Sequence, residues 1–217
     1  MSPRASALLA AVLLLCPLAG AAAPVRAVVA SPPGTEPAAS ALPVSPAAVL
    51  RAGFVQERRL PGFRQPLRSQ GELLLVRGEG LRWEVQAPFP STTILQRGRL
   101  RLLDAEGREQ APGVEAGAGL ARLLQSLLEA LLSADRQALA VHFVVEEAPA
   151  PREGAWALVL TPADPLLAAA FRRIAVEGAA QVESLRLQER EGAEVLLRFH
   201  DTRTLPVAGD AERHALD

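Results

Sequence analysis

Between Leu81 and Gln86 apolar and polar residues alternate without a break, Leu81, Trp83 and Val85 against Arg82, Glu84 and Gln86. A period of two sends the first set to one face of a pleated strand and the second to the other, so the segment predicts a half-buried strand. The preceding run, Gly71 to Arg77, is apolar on both faces through Leu73, Leu74, Leu75 and Val76 and ends in an arginine. The stretch from Gln65 to Gln96 therefore reads as three consecutive antiparallel strands joined by tight turns, and a sheet this apolar needs a cover.

Turn signals recur at Pro61-Gly62, Gly78 to Gly80, Ala87-Pro88, Gly98, Gly107, Gly154 and Gly192, with apolar runs of strand length between them. A first strand is expected around Phe54, Gln56 and Arg58. Later ones are expected at Val141 to Glu146, Trp156 to Thr161, Ile174 to Glu177, Glu183 to Glu189 and Glu194 to His200, for an antiparallel meander of about ten strands. In the Val141 strand, Val141, Phe143 and Val145 are assigned to the inner face and His142 to the outer.

One segment departs from this period. Leu120, Leu123, Leu124, Leu127, Leu128, Leu131 and Leu132 repeat at helical spacing, with Arg122, Gln125, Ser126 and Glu129 on the other side. The leucines of this amphipathic helix need an apolar partner, and one face of the sheet is the only large one in the sequence. Two readings stay open: a helix plugging a barrel as permanent core, or a lid that swings off an apolar cavity.

Composition narrows the class. A chain of 217 residues, 49% apolar, supports one domain with a sizeable core. A formal charge of −1 makes no electrostatic case for nucleic acid. Residues 1–23 have the form of an export signal, with Arg4, an apolar segment from Ala5 to Leu15 and small residues after Pro17. Residues 24–46 form an Ala/Pro-rich linker, 47–205 the folded domain and 206–217 a polar tail. Cys16 follows Leu15, where lipid attachment in a bacterial lipoprotein needs a small residue, so it is expected to leave with the signal. A mature chain without a thiol suits an oxidising compartment and has no disulfide, thiolate metal site or cysteine nucleophile.

Catalysis finds little support. His142, His200 and His214 lack the spacing of a metal site, and no nucleophile elbow, phosphate-cradling glycine loop or dinucleotide fingerprint is present. His200-Asp201 reads as a surface pair, and Asp104, Asp135, Asp164 and Asp201 as turn residues. The expectation is no enzyme, no metal and no cofactor.

The ordered set Phe54-x-Gln56, Pro66-Leu67-x-Ser69-x-Gly71, Arg77, Gly80-Leu81-x-Trp83, Pro88-Phe89 and a Leu-rich helix ending LLSAD resembles the LolA-like periplasmic outer-membrane lipoprotein carrier family over residues 47–205. Glycine at 78, where the main carrier branch has proline, and a short N-terminal segment after Pro46 depart from that branch, and the form GELLLVRGEGLRWEVQAPFPS is closer to the divergent, exporter-associated LolA-like proteins. The resemblance implies a mainly β fold with some α, an incomplete antiparallel barrel closed by a helical lid. It also implies a periplasmic carrier in a Gram-negative bacterium, shielding acyl chains of lipoproteins or related lipids between the inner and outer membranes. An inner-membrane exporter and an outer-membrane acceptor are the implied partners of a monomer; accessory to a lipid or polyene exporter, or lipid-sensing adaptor, are the alternatives. Arg77 is implied as the residue that locks the lid. Candidate cavity residues are Leu73, Leu75, Leu81, Trp83, Val85, Ile94, Leu95, Leu123, Leu127 and Leu131.

Overall fold

The structure, a computed structural model, describes residues 47–110 and 118–217; the expected signal and linker lie outside the described residues. Eleven strands form one antiparallel sheet. They are β1 (Val49–Arg59), β2 (Leu67–Val76), β3 (Gly80–Ala87), β4 (Ser91–Gln96), β5 (Arg99–Leu103), β6 (Glu109–Gln110), β7 (Phe143–Ala148), β8 (Trp156–Pro162), β9 (Phe171–Gly178), β10 (Val182–Glu189) and β11 (Glu194–Leu205). The spatial order β6-β5-β4-β3-β2-β1-β11-β10-β9-β8-β7 is two meanders joined where the first strand pairs with the last. β6 and β7 are left as edges, so the barrel is incomplete.

Eleven strands about 4.8 Å apart would span roughly 50 Å if flat. Yet one face of strands from both meanders contributes to a single apolar cluster, from Leu100 on β5 through Phe54 on β1 to Leu158 on β8. The sheet must therefore curl. Register shifts in the β1–β11 pairing, opposite Arg51/Gly53, and in the β2–β3 pairing, opposite Gln70/Gly71, put an extra residue on β11 and on β3 and supply bends, since a bulge locally increases twist and curvature. At Gly71 a Cβ would stand 1.8 Å from the Glu84 carbonyl oxygen, so only glycine allows β2 and β3 to approach there. Gly71→Ala is expected to destabilise the domain by about 1–3 kcal/mol through forced backbone displacement, read as a lower midpoint in chemical denaturation; an unchanged midpoint would show that the two strands separate freely.

The chain between the two edges carries the helices α1 (Ala118–Leu132) and α2 (Arg136–Ala140); α3 (Pro165–Ala170) joins β8 to β9, and α4 (Asp210–His214) follows β11. α1 ends where Ala134 takes a left-handed conformation (φ 47°) and the Asp135 amide returns to the Ala130 carbonyl at 3.0 Å. Asp135 then caps α2 by accepting from the Ala138 amide. The motif LLSAD is thus a helix stop followed at once by a helix start.

Several expectations change. Val141 is not on an inner strand face: it caps the C-terminus of α2 and is 72% exposed, and β7 begins only at Phe143, leaving His142 in the turn before it. β11 continues past His200 to Leu205, because a bulge with Asp201 at φ 52° lets pairing with β1 resume. The segment read as a polar tail folds back on the outside of the sheet. Ala208 and Leu216 cover Val49, Leu74 and Val76 there, which explains why β2 is apolar on both faces.

Candidate functional site

Directly paired residues on antiparallel strands point to the same face, and this places the predicted cavity residues. Leu75, Leu81 and Leu95 are in one cross-strand row; Leu73, Trp83 and Thr93 are in the next. Both rows face the concave side. Leu73, Leu75, Leu81, Trp83, Val85, Leu95, Leu127 and Leu131 all belong to one buried cluster, and Leu123 is partly buried against it. Ile94 does not join them. It neighbours Leu95 in the strand and so points outward, in register with Arg82 and Arg101. Those arginines reach over the outer face to main-chain oxygens of Ala215 and Asp217, and Ile94, 2% exposed, is buried on that face outside the concave cluster.

α1 lies across the concave side against β4 and β5. Its Leu124, Leu127, Leu128, Leu131 and Leu132 are 1–4% exposed, while Arg122 and Ser126 face outward; the side chain of Leu120 lies outside the described residues. The apolar trough expected between helix and sheet is therefore filled by these leucines. One concavity of about 560 Å³ is on the outer face, where charged groups including Arg51, Glu72, Arg82, Glu84 and Arg203 stand among apolar ones such as Leu74 and Ala215. An acyl chain laid there would desolvate several of those charged groups without pairing them. A smaller groove of about 260 Å³ runs along the seam between α1 and two hairpin tips, lined by Gly78, Arg97, Gly98, Arg122 and Glu129 among others.

The seam is held by Glu129. Its carboxylate accepts from the main-chain amide of Gly78 at 3.3 and 3.2 Å, and from Gln125 at 3.0 Å. Gly78 has φ 75° in the β2–β3 turn, a conformation that glycine adopts without strain. Arg77, the predicted lid lock, is adjacent but exposed, and among the described residues its side chain makes no hydrogen bond or ion pair; only its amide is engaged, by Ala48. The contact from this turn to the helix thus runs from a backbone donor to a helix carboxylate, the same polarity as an arginine lock but supplied by the neighbouring amide.

Sequence reading placed Trp83 at the cavity but assigned no role to the polar groups around it. Gln56 is 4% exposed. Arg58 pairs with Glu189 at 3.2 Å where the β1–β2 and β10–β11 hairpins meet, and both side chains are largely buried. Burial pushes the Glu189 carboxyl above its ordinary range, with Arg58 opposing. Trp83, whose ring lies 4.3 Å from that of Phe54, and Thr93 each hold a buried polar atom without a partner among the described residues, indole Nε1 and hydroxyl Oγ1. Alternation marks Thr93 as facing the same way as Leu95; only the fold shows that nothing meets its hydroxyl. The three histidines stand apart, each near one acid: His142 and Asp164 at 3.9 Å, His200 and Asp201 at 2.8 Å, His214 and Asp217 at 3.9 Å.

An open antiparallel sheet curled around a leucine-faced helix, with its apolar interior lying between two unpaired edges, defines a class of half-barrel proteins. The chain belongs to the family described as outer membrane lipoprotein carrier protein LolA-like, whose profile matches residues 41–215. No curated protein matches it. Among solved structures it is similar to a LolA superfamily protein from Nitrosomonas europaea, at 9% identity over 77% of this chain and 90% of that one, with a TM-score of 0.42. It is also similar to a putative outer membrane lipoprotein-sorting protein domain from Vibrio parahaemolyticus, at 9% identity over 80% and 92%, TM-score 0.40. A third likeness is to the MucA/MucB complex of Pseudomonas aeruginosa, at 14% identity over 76% and 56%, TM-score 0.40. At these scores the likenesses carry no functional argument; membership rests on the family match.

Proposed function

We propose that this protein is a periplasmic carrier of acyl chains, taking lipoproteins or related acylated lipids from an inner-membrane exporter to an outer-membrane acceptor in a Gram-negative bacterium. It acts by binding and release, with no chemical step. The observation that carries the reading is the helix α1, whose leucine face fills the concave side of an open sheet and packs against β4 and β5.

Magnitudes make the exchange plausible. Five buried leucines contribute roughly 10 kcal/mol of apolar burial at about 2 kcal/mol each. A palmitoyl chain, with about fifteen methylenes and methyls at roughly 0.8 kcal/mol apiece, contributes about 12 kcal/mol. Lid and cargo are thus nearly matched competitors for one surface. Such balance allows loading and unloading without a large trap at either end.

The latch supplies a graded test. Glu129→Gln weakens a charge-assisted contact to the Gly78 amide, so the closed state should lose about 0.5–1.5 kcal/mol and a fluorescent fatty acid should bind delipidated protein about two- to tenfold more tightly. Arg77→Leu should leave binding near wild type. Equal affinities for Glu129→Gln and wild type, with a clear change in Arg77→Leu, would return the lid lock to the arginine. Native mass spectrometry of protein isolated from its own envelope should show bound acylated species. Protein that is uniformly empty and does not take up the fluorescent fatty acid would sink the carrier reading.

A further inference from the structure

The interior is apolar except at a few points, and two of those points adjoin. Trp83 and Thr93 are direct cross-strand partners on β3 and β4. They are 5% and 1% exposed, and both point to the concave face beneath α1. The Trp83 indole N–H and the Thr93 hydroxyl have no hydrogen-bond partner among the described residues. The chain's other tryptophan behaves ordinarily: the Trp156 indole donates to the Ala179 carbonyl at 2.6 Å. A buried donor without an acceptor destabilises the state that contains it, and here two stand side by side in the row that also holds Ala52 and Leu73. Directly opposed residues have Cβ atoms only about 5 Å apart, so their donors can converge on one acceptor.

We propose that Trp83 and Thr93 form a recognition point for the carbonyl oxygen that links an acyl chain to its parent lipid, as an ester or amide. The inference rests on the carrier reading and deepens it. When α1 moves off the sheet, methylenes replace its leucines along Leu73, Leu75, Leu81 and Leu95, and the linkage carbonyl accepts from the indole N–H and the hydroxyl. The apolar surface supplies affinity for any long chain. The pair supplies preference for chains joined through a carbonyl, and it fixes how deep the chain sits.

The test compares dipalmitoyl glycerol with its dihexadecyl ether counterpart, each displacing a fluorescent fatty acid from delipidated protein. The two have matched chain lengths, but the ether lacks the carbonyl. Wild type should prefer the diester about tenfold, the ratio that one good net hydrogen bond supplies. Thr93→Val, which keeps the shape of the side chain, should reduce the preference to about twofold, leave the diether affinity unchanged and leave the empty protein at least as stable. Thr93→Ser should retain the preference, and Trp83→Phe should reduce it independently should the valine variant fold poorly. Equal binding of the two lipids by wild type, or a preference untouched by both Thr93→Val and Trp83→Phe, overturns this inference and leaves the carrier reading intact. Failure of both lipids to bind overturns both.

Discussion

Leu128→Ala should lower the stability of the empty protein by about 2–4 kcal/mol and, in the same protein, tighten the binding of an acyl chain by ten- to a hundredfold. The opposed signs follow from where the residue works. Leu128 is 4% exposed in the concave core, so its truncation leaves a void in the closed state. In the loaded state of the proposed carrier α1 yields its place, and the missing methyl groups then cost little. Binding therefore gains most of what folding loses. Urea denaturation of the delipidated variant and titration with a fluorescent fatty acid measure the two sides. If affinity falls together with stability, the helix is permanent core and cargo does not compete with it.

The second large effect concerns the closed end of the interior. Arg58→Met should cost about 3 kcal/mol at neutral pH, because it leaves Glu189 buried without the cation that pairs with it. The pH dependence identifies the cause. Glu189 is already shifted upward by burial, with Arg58 holding it down; removing Arg58 raises it further. A carboxyl whose folded pKa lies above its unfolded value of about 4.5 takes up protons on folding. Its contribution to stability is thus greatest at acid pH and falls as pH rises through the window between the two values. The deficit of Arg58→Met relative to wild type should be smallest below the unfolded value and widen towards neutrality. A deficit that is the same across that range would assign the loss to packing of the arginine stem.

The elements easiest to read from sequence were those with one exposed face. Strand β3 alternates because Arg82 and Glu84 face out, and α1 shows its stripe because Arg122 and Ser126 do. Where both faces are covered the period disappears. Leu73 to Val76 gave no inward direction, since Leu74 and Val76 meet Ala208 and Leu216 while Leu73 and Leu75 meet the concave core. The same ambiguity put Ile94 on the wrong side of β4. The covering segment itself, with a single leucine after α4, has too few apolar residues to announce that it packs.

Chemistry was less visible than fold. A family resemblance directed attention to Arg77, but whether that side chain reaches the helix depends on the turn's conformation, and here the neighbouring Gly78 amide makes the contact. Thr93 reads as an ordinary strand former, and Glu189 as one more polar residue near a turn. Their roles arise from what surrounds them after folding: an unmet hydroxyl in one case, a lone arginine partner in the other.

The central claim is that α1 leaves the concave face when cargo enters. Spin labels at Ser126→Cys on the outer side of α1 and Arg186→Cys on exposed β10, with Cys16, the chain's single cysteine, replaced by serine, allow the separation to be measured by double electron–electron resonance. Saturation with a lipid that binds should broaden and shift the distance distribution, with a second population that grows with loading. Superimposable distributions for the empty and the saturated protein would contradict the account.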